Sequence, residues 1–335
     1  MKKLLFGALF ALTIGLTVHF FARASGASAV AVLARIGTIG PLLWGALGAL
    51  TVAFYLLDWL RFRSMLAVLG QPLRYVDGLR LTCVSYFVTS LTPSAELHTP
   101  AMVFMLSRQG VPLPQALAAS VSKSVYMTLW ICLAAWLSLM FGEPVALPPG
   151  LRAGLPWLAL LLLAMALLLA AIAFFPAPVV RWCDAHALAL RDGSLWRKIL
   201  SGTAATASSI STIGTSTDIA HVLCHVASIA FLLVYVAIGW LLASHFGFQL
   251  DWLQALTIFS TSLMIAYLAP VPGAIGVTEV ATSYMLSPAL TPEGMAVAIT
   301  LRVLCWYLVA LPGALVLAAE FRRAGGRWTL PKVFN

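Results

Sequence analysis

Four charged residues fall inside long apolar stretches of this 335-residue chain: Glu96, Lys123, Glu279 and Arg302. A charge in an apolar medium is costly and persists only with a partner or a task. Each acid follows a helix-breaking cluster, with Pro93 before Glu96, and Pro272, Gly273 and Gly276 before Glu279. Each base lies well inside the next apolar helical pattern, and Lys123 stands as far beyond Pro93 as Arg302 does beyond Pro272. Two readings follow. In one, acids, bases and the N–H groups at broken helix ends converge on a polar cavity that holds a charged group such as a phosphate. In the other, Glu96–Lys123 and Glu279–Arg302 are structural ion pairs that staple the broken segments in place. Arg108, at the end of the first broken region, is a further basic candidate for the same substrate site.

Other chemistry is sparse. Asp218, His221 and His225 share one helical face and form the single arrangement with metal-ligand spacing. Asp218 also stands where a helix-capping acid stands, so no metal site is expected. The chain has no Gly-rich phosphate loop ending in Lys-Ser/Thr, no Gly-x-Ser-x-Gly elbow and no His-Glu-x-x-His pair. No cofactor is expected. The five cysteines are scattered, mostly in apolar runs, and read as small core residues.

The elements that must position these charges follow from composition. Hydrophobic residues make up 61% of the chain and charged ones 9%, against about 25% charged in a soluble domain. Too few polar residues remain to cover the apolar ones in water, so lipid is the expected solvent. There the backbone must satisfy itself, and unbroken Leu/Ala runs such as 157–175 select helices over barrel strands. The expected fold is an all-α polytopic membrane bundle forming one transmembrane domain over 1–335. Stretches 3–22, 40–60, 113–141, 154–176, 219–245 and 294–320 each meet the length of about 20 residues that a span needs. The first resembles a signal peptide in part, but its apolar core is long, and a retained span is expected.

Segments 78–110 and 251–288 are apolar but broken at Thr92-Pro93-Ser94 and at Pro270-Val271-Pro272-Gly273. Their arms are short for spans, so each is expected to be a re-entrant hairpin, the two entering from opposite faces as an inverted repeat. With the N-terminus in the cytoplasm, the outer segments hold only Arg23, Arg35 and Arg152, while Arg61, Arg63, Arg74 and the other loop bases lie inside. That bias predicts a multi-pass protein of the bacterial inner membrane with both termini cytoplasmic. The formal net charge of +9 then points to anionic lipid head groups and not to nucleic acid. Linker 177–218 is expected to be cytoplasmic, with an interfacial amphipathic helix near 179–200 followed by a Ser/Thr-rich stretch.

The second break, Pro270-Val271-Pro272-Gly273-Ala274-Ile275-Gly276-Val277-Thr278-Glu279 with Arg302 in the next helix, resembles the signature of the lysylphosphatidylglycerol synthase transmembrane family. The first region resembles it too, through Thr92-Pro93-Ser94-Ala95-Glu96, then Leu106-Ser107-Arg108-Gln109-Gly110-Val111, then Lys123 where the family usually has arginine. Ala95 and Ala274 stand where the family commonly has glycine. The resemblance covers roughly residues 10–322 and implies the flippase half of that chemistry, without the aminoacyl-transfer domain. The expected function is translocation of an amphipathic, anionic or lipid-linked substrate, by a transporter and not an enzyme. Its expected partners are membrane lipids, with a homo-oligomer or a lipid-biosynthesis protein as further possibilities. The alternatives are an intramembrane enzyme or accessory subunit of lipid, hopanoid or lipid-linked sugar metabolism, with Glu279 as base, and a non-catalytic scaffold.

Overall fold

A computed structural model of the chain describes residues 29–92, 98–141, 155–190, 194–269, 273–287 and 289–323. The N-terminal apolar stretch, Pro93 with Glu96, and Pro272 lie outside the described residues. Every regular element among the described residues is helical. In chain order they are α1 (Ala29–Ile36), α2 (Pro41–Val68), α3 (Tyr75–Leu91), α4 (Thr99–Arg108), α5 (Leu113–Phe141), α6 (Leu155–Phe174), α7 (Ala177–Leu188), α8 (Leu195–Thr215), α9 (Ile219–His245), α10 (Trp252–Leu268), α11 (Val277–Leu286) and α12 (Pro292–Arg302). A π-helical turn, Val303–Tyr307, joins α12 to α13 (Leu308–Arg323).

Among the described residues, four helical stretches are long and apolar enough to cross a membrane: α2, α5, α9 and the continuous Pro292–Arg323. The apolar α6, 20 residues long, leaves Leu160, Leu161, Leu167 and Leu168 exposed, a surface suited to lipid and not to water. Helix starts are chemically marked. Asp251 and Gln254 form a reciprocal capping box at α10. The Thr291 hydroxyl accepts from the Gly294 N–H at α12, with Pro292 in the first turn, where a missing N–H costs nothing.

The packing follows a repeated plan. Helices α3 and α10 are each 17 residues long, and α4 and α11 are each 10. Helix α2 packs on α9, the helices that precede these two pairs. Helix α3 packs on α13, and α10 packs in the corresponding way on α5. Helix α4 folds back on α5, as α11 folds back on α12. The close approach of α3 and α13 depends on Gly313, because a Cβ there would collide with the Cys83 carbonyl and crowd the Cβ of Phe87. The two breaks also meet, since the Gly273 N–H donates to the Thr92 carbonyl at 3.0 Å.

One expectation needs correction. Helix α2 does not end near residue 60. It continues to Val68, and Arg61, assigned above to a cytoplasmic segment, is only 1% exposed. The apolar residues Phe62, Met65 and Leu66 keep the helix face buried beyond the charges. The Ser/Thr-rich part of linker 177–218 is also helical. In α8 the hydroxyls of Thr203, Thr206, Ser209, Thr212 and Thr215 each donate to the carbonyl four residues back. They satisfy themselves within the helix instead of competing with it, and Ala204, Ala207 and Ile213 form its buried side.

Gly313→Val should destabilise the protein by about 1–3 kcal/mol or more, because α13 has nowhere to retreat from Cys83. Gly48→Ala, at a position with open space around it, should be neutral or slightly stabilising. Thermal unfolding of the detergent-solubilised variants checks both.

Candidate functional site

Two buried charge clusters occupy the middle of the bundle, and they differ in how completely they are closed. In the first, Asp58 of α2 holds two cations, one on each oxygen. Lys123 Nζ lies 2.7 Å from Oδ2 and Arg61 Nη1 lies 2.9 Å from Oδ1. Arg61 then spends its remaining nitrogens, donating from Nε to the Ser228 hydroxyl of α9 at 2.9 Å and from Nη2 to the Lys123 carbonyl of α5 at 3.1 Å. Its guanidinium carbon also lies 4.9 Å from the Phe231 ring centroid. Each guanidinium nitrogen has a partner, so this cluster ties α2, α5 and α9 together. Among the described residues Lys123 meets Asp58; the expected Glu96–Lys123 pair lies outside them.

The second cluster is looser. The Glu279 carboxylate reaches back to the start of its own helix, where Oε2 accepts the Gly276 N–H at 2.9 Å. Its other oxygen is 3.7 Å from Arg302 Nε, close enough for ionic attraction but too long for a hydrogen bond. Both residues are buried, at 1% and 4% exposure. Among the described residues, Glu279 Oε1 and Arg302 Nε and Nη1 have no hydrogen-bond partner. Neighbouring elements add more buried hydroxyls in the same condition: Ser260 and Thr261 of α10, Ser283 of α11 and Thr300 of α12. Leaving such a group unpaired costs about 1–3 kcal/mol each, and more for a charge, so each requires a physical reason. The Arg302 guanidinium carbon lies over Trp306, 4.5 Å from its ring centroid, and the π-turn begins at the next residue. Such turns recur at functional positions in helices. Tyr55 of α2 donates to the Leu304 carbonyl within that turn at 2.7 Å.

Trp306 connects the clusters. It packs on Arg302 and also lines a cavity of about 40 Å³ bounded by Asp58, Arg61, Lys123, His98 and Tyr267. That volume exceeds the ~10–15 Å³ a water needs but falls far below the ~300 Å³ of a small-ligand pocket. The space is a small one with charged residues and aromatic rings in its walls.

The tip beside Glu279 is built from left-handed backbone. Gly273, Ala274 and Gly276 have φ of 56°, 54° and 85°. A Cβ on Gly273 would press on the Ser90 carbonyl, which explains the glycine. Ala274 takes the same conformation without a glycine's freedom.

The remaining sequence candidates separate. Arg108 is exposed at the end of α4 and donates to the Glu320 carbonyl at 3.4 Å, away from both clusters. Asp218 is the exposed N-cap residue of α9 and accepts from the Ser216 hydroxyl. Trp130 donates to His225 Nδ1 at 3.2 Å, and His225 Nε2 faces His221 Nε2 at 3.0 Å. An indole only donates, so Nδ1 is the acceptor and neutral His225 carries its proton on Nε2. That nitrogen then has no lone pair for a metal. Among the described residues no three His, Cys, Asp or Glu side chains converge on a metal position. Sequence reasoning missed Arg61. Its signal was the Asp58/Arg61 pair, one helical turn apart, within an apolar run that continues to residue 69.

The model of the lysylphosphatidylglycerol synthase transmembrane region matches residues 4–313. The chain belongs to that family. No curated protein matches it. Membership, together with the long apolar helices, makes this an integral membrane protein and points to lipid metabolism or transport. Both charge clusters, and both broken segments, lie inside the matched range.

Two predictions follow from the geometry. Asp58→Asn should cost about 3–5 kcal/mol, because two buried cations lose their shared counter-charge, and adding Lys123→Gln should recover part of the loss. Ala274→Gly should stabilise the protein by about 1 kcal/mol by removing the Cβ from a left-handed position. Melting temperatures in detergent or nanodiscs test both.

Proposed function

We propose that this protein binds the head group of an amphipathic, anionic lipid at the Glu279–Arg302 cluster and moves it across the bacterial inner membrane. The observation that carries this reading is the incomplete pairing of Arg302. A guanidinium buried beside a carboxylate, yet without a hydrogen bond from Nε or Nη1, can be completed by a phosphate, whose oxygens match its planar fork. Trp306 supplies a flat face that holds the guanidinium in orientation. The Asp58–Arg61–Lys123 cluster, with every Arg61 nitrogen bonded, is the fixed side against which the second half works.

In this reading α3–α4 and α10–α11 are re-entrant hairpins within a single transmembrane domain, and their equal lengths and parallel packing partners support an inverted repeat. Both termini are cytoplasmic. The small polar cavity beside Trp306 represents a closed conformation, and the Thr92–Gly273 hydrogen bond is one contact that must break for a head group to enter. The lipid tails stay in the bilayer while the head group passes between the halves.

The test is lipid scrambling in liposomes with a fluorescent anionic phospholipid. Arg302→Ala should slow translocation at least about tenfold, the loss of a charge-assisted contact, while the protein still inserts and melts cooperatively. Arg302→Lys should fall between the two, keeping the charge but losing the fork. Native-rate scrambling by a correctly folded Arg302→Ala protein would overturn the proposal.

A further inference from the structure

The π-turn after Arg302 depends on a neighbouring helix. Val303–Tyr307 contains neither proline nor glycine, so no residue within the turn breaks the helix. In an α-helix the Leu308 N–H would donate to the Leu304 carbonyl, four residues back. Here it donates to the Val303 carbonyl, five back. The Leu304 carbonyl loses that donor, and a buried carbonyl left unanswered is costly. Tyr55 of α2 answers it, since its hydroxyl donates to this same carbonyl at 2.7 Å. The phenol stands in for the displaced helical donor.

The turn changes what surrounds Arg302. On an α-helix the neighbours of a residue lie three and four positions away, and the fifth faces elsewhere. The wider π-turn carries the fifth position back over the first. The guanidinium carbon of Arg302 accordingly lies 4.5 Å from the Trp306 ring centroid and 5.9 Å from that of Tyr307. Two rings bear on the cation, and the second contact needs the turn. Tyr55 is itself fixed in place. It packs edge-on against Tyr86 of α3, with ring centroids 5.1 Å apart. It also stands one helical turn before Asp58, whose ion pairs set the rotation of α2. We infer that Tyr55 is a positioning residue of the head-group site. Through the Leu304 carbonyl it holds the π-turn open, and through the turn it sets the two rings that orient Arg302. This role rests on the head-group site proposed above, and it links that site to the Asp58 cluster.

Tyr55→Phe removes one hydroxyl and keeps the ring. Translocation of a fluorescent anionic phospholipid by the full chain in liposomes should slow about fivefold, the loss of one buried hydrogen bond acting through Arg302. Tyr307→Leu, which removes the second ring by a separate route, should slow it to a similar extent. Both proteins should still melt cooperatively in detergent. A double-variant cycle separates positioning from a merely structural role, because Tyr55 has nothing to position once Arg302 is gone. In the Arg302→Ala background, Tyr55→Phe should change the rate by less than about twofold. A native rate in Tyr55→Phe would overturn the inference. So would an equal slowing by Tyr55→Phe with and without Arg302, which would leave Tyr55 a structural residue only. Native-rate translocation by Arg302→Ala would remove the head-group site and this role together. A slow Arg302→Ala beside a native-rate Tyr55→Phe would remove this role alone and leave the proposed function standing.

Discussion

The constraint on which the structure depends is the burial of the Arg61 guanidinium between three helices. An arginine in an apolar interior is tolerable only when its nitrogens and its charge are all answered. Here Asp58 answers the charge, while Ser228 and the Lys123 carbonyl take the other donors. Because these partners belong to α2, α9 and α5, the helices cannot slide or rotate independently without exposing an unpaired charge. Hydrophobic packing does not supply that precision between membrane helices, since lipid is as apolar as the side chains it would replace. The stacking of Phe54 on Phe231, 4.1 Å apart, fills the space beside the lock and adds shape to an arrangement that electrostatics specifies.

The second charge cluster takes its meaning from the contrast. The two halves share helix lengths and packing partners, yet among the described residues the Arg61 nitrogens are all bonded while Arg302 Nε and Nη1 are not. Lys123 and Arg302 occupy comparable places in the long helices that follow the two breaks. Among the described residues, Lys123 meets Asp58 of the preceding long helix, and Arg302 meets Glu279 of the short helix after the break. Glu279 is also tied to the Gly276 N–H, which draws its carboxylate toward the tip and leaves Arg302 at ionic distance only. A stable scaffold on one side and an unfinished pair on the other is an arrangement in which a ligand's charge has somewhere to act. Trp306, shared between the Arg302 face and the small polar cavity, gives the two clusters a common wall.

Much of the fold was legible before any coordinates. The spans at 113–141 and 219–245 coincide with α5 and α9, because unbroken apolar runs of that length bounded by Pro and polar residues have no other low-energy form in lipid. The breaks near Thr92 and Gly273 were equally visible, since proline and glycine act locally. Arg61 was misjudged because charge was used to end a span whose apolar face ran on past it.

The sequence by itself determined the class of protein, the long helices, the breaks and the four charges that sit inside apolar segments, because solvation energy and backbone chemistry depend on local residue types. Only the tertiary structure decided which acid meets which base, because pairing across helices depends on rotation and depth, to which a linear pattern is indifferent. It joined Lys123 to Asp58, made Arg61 the hub of three helices, placed Arg108 at the surface and left Glu279 and Arg302 incompletely paired.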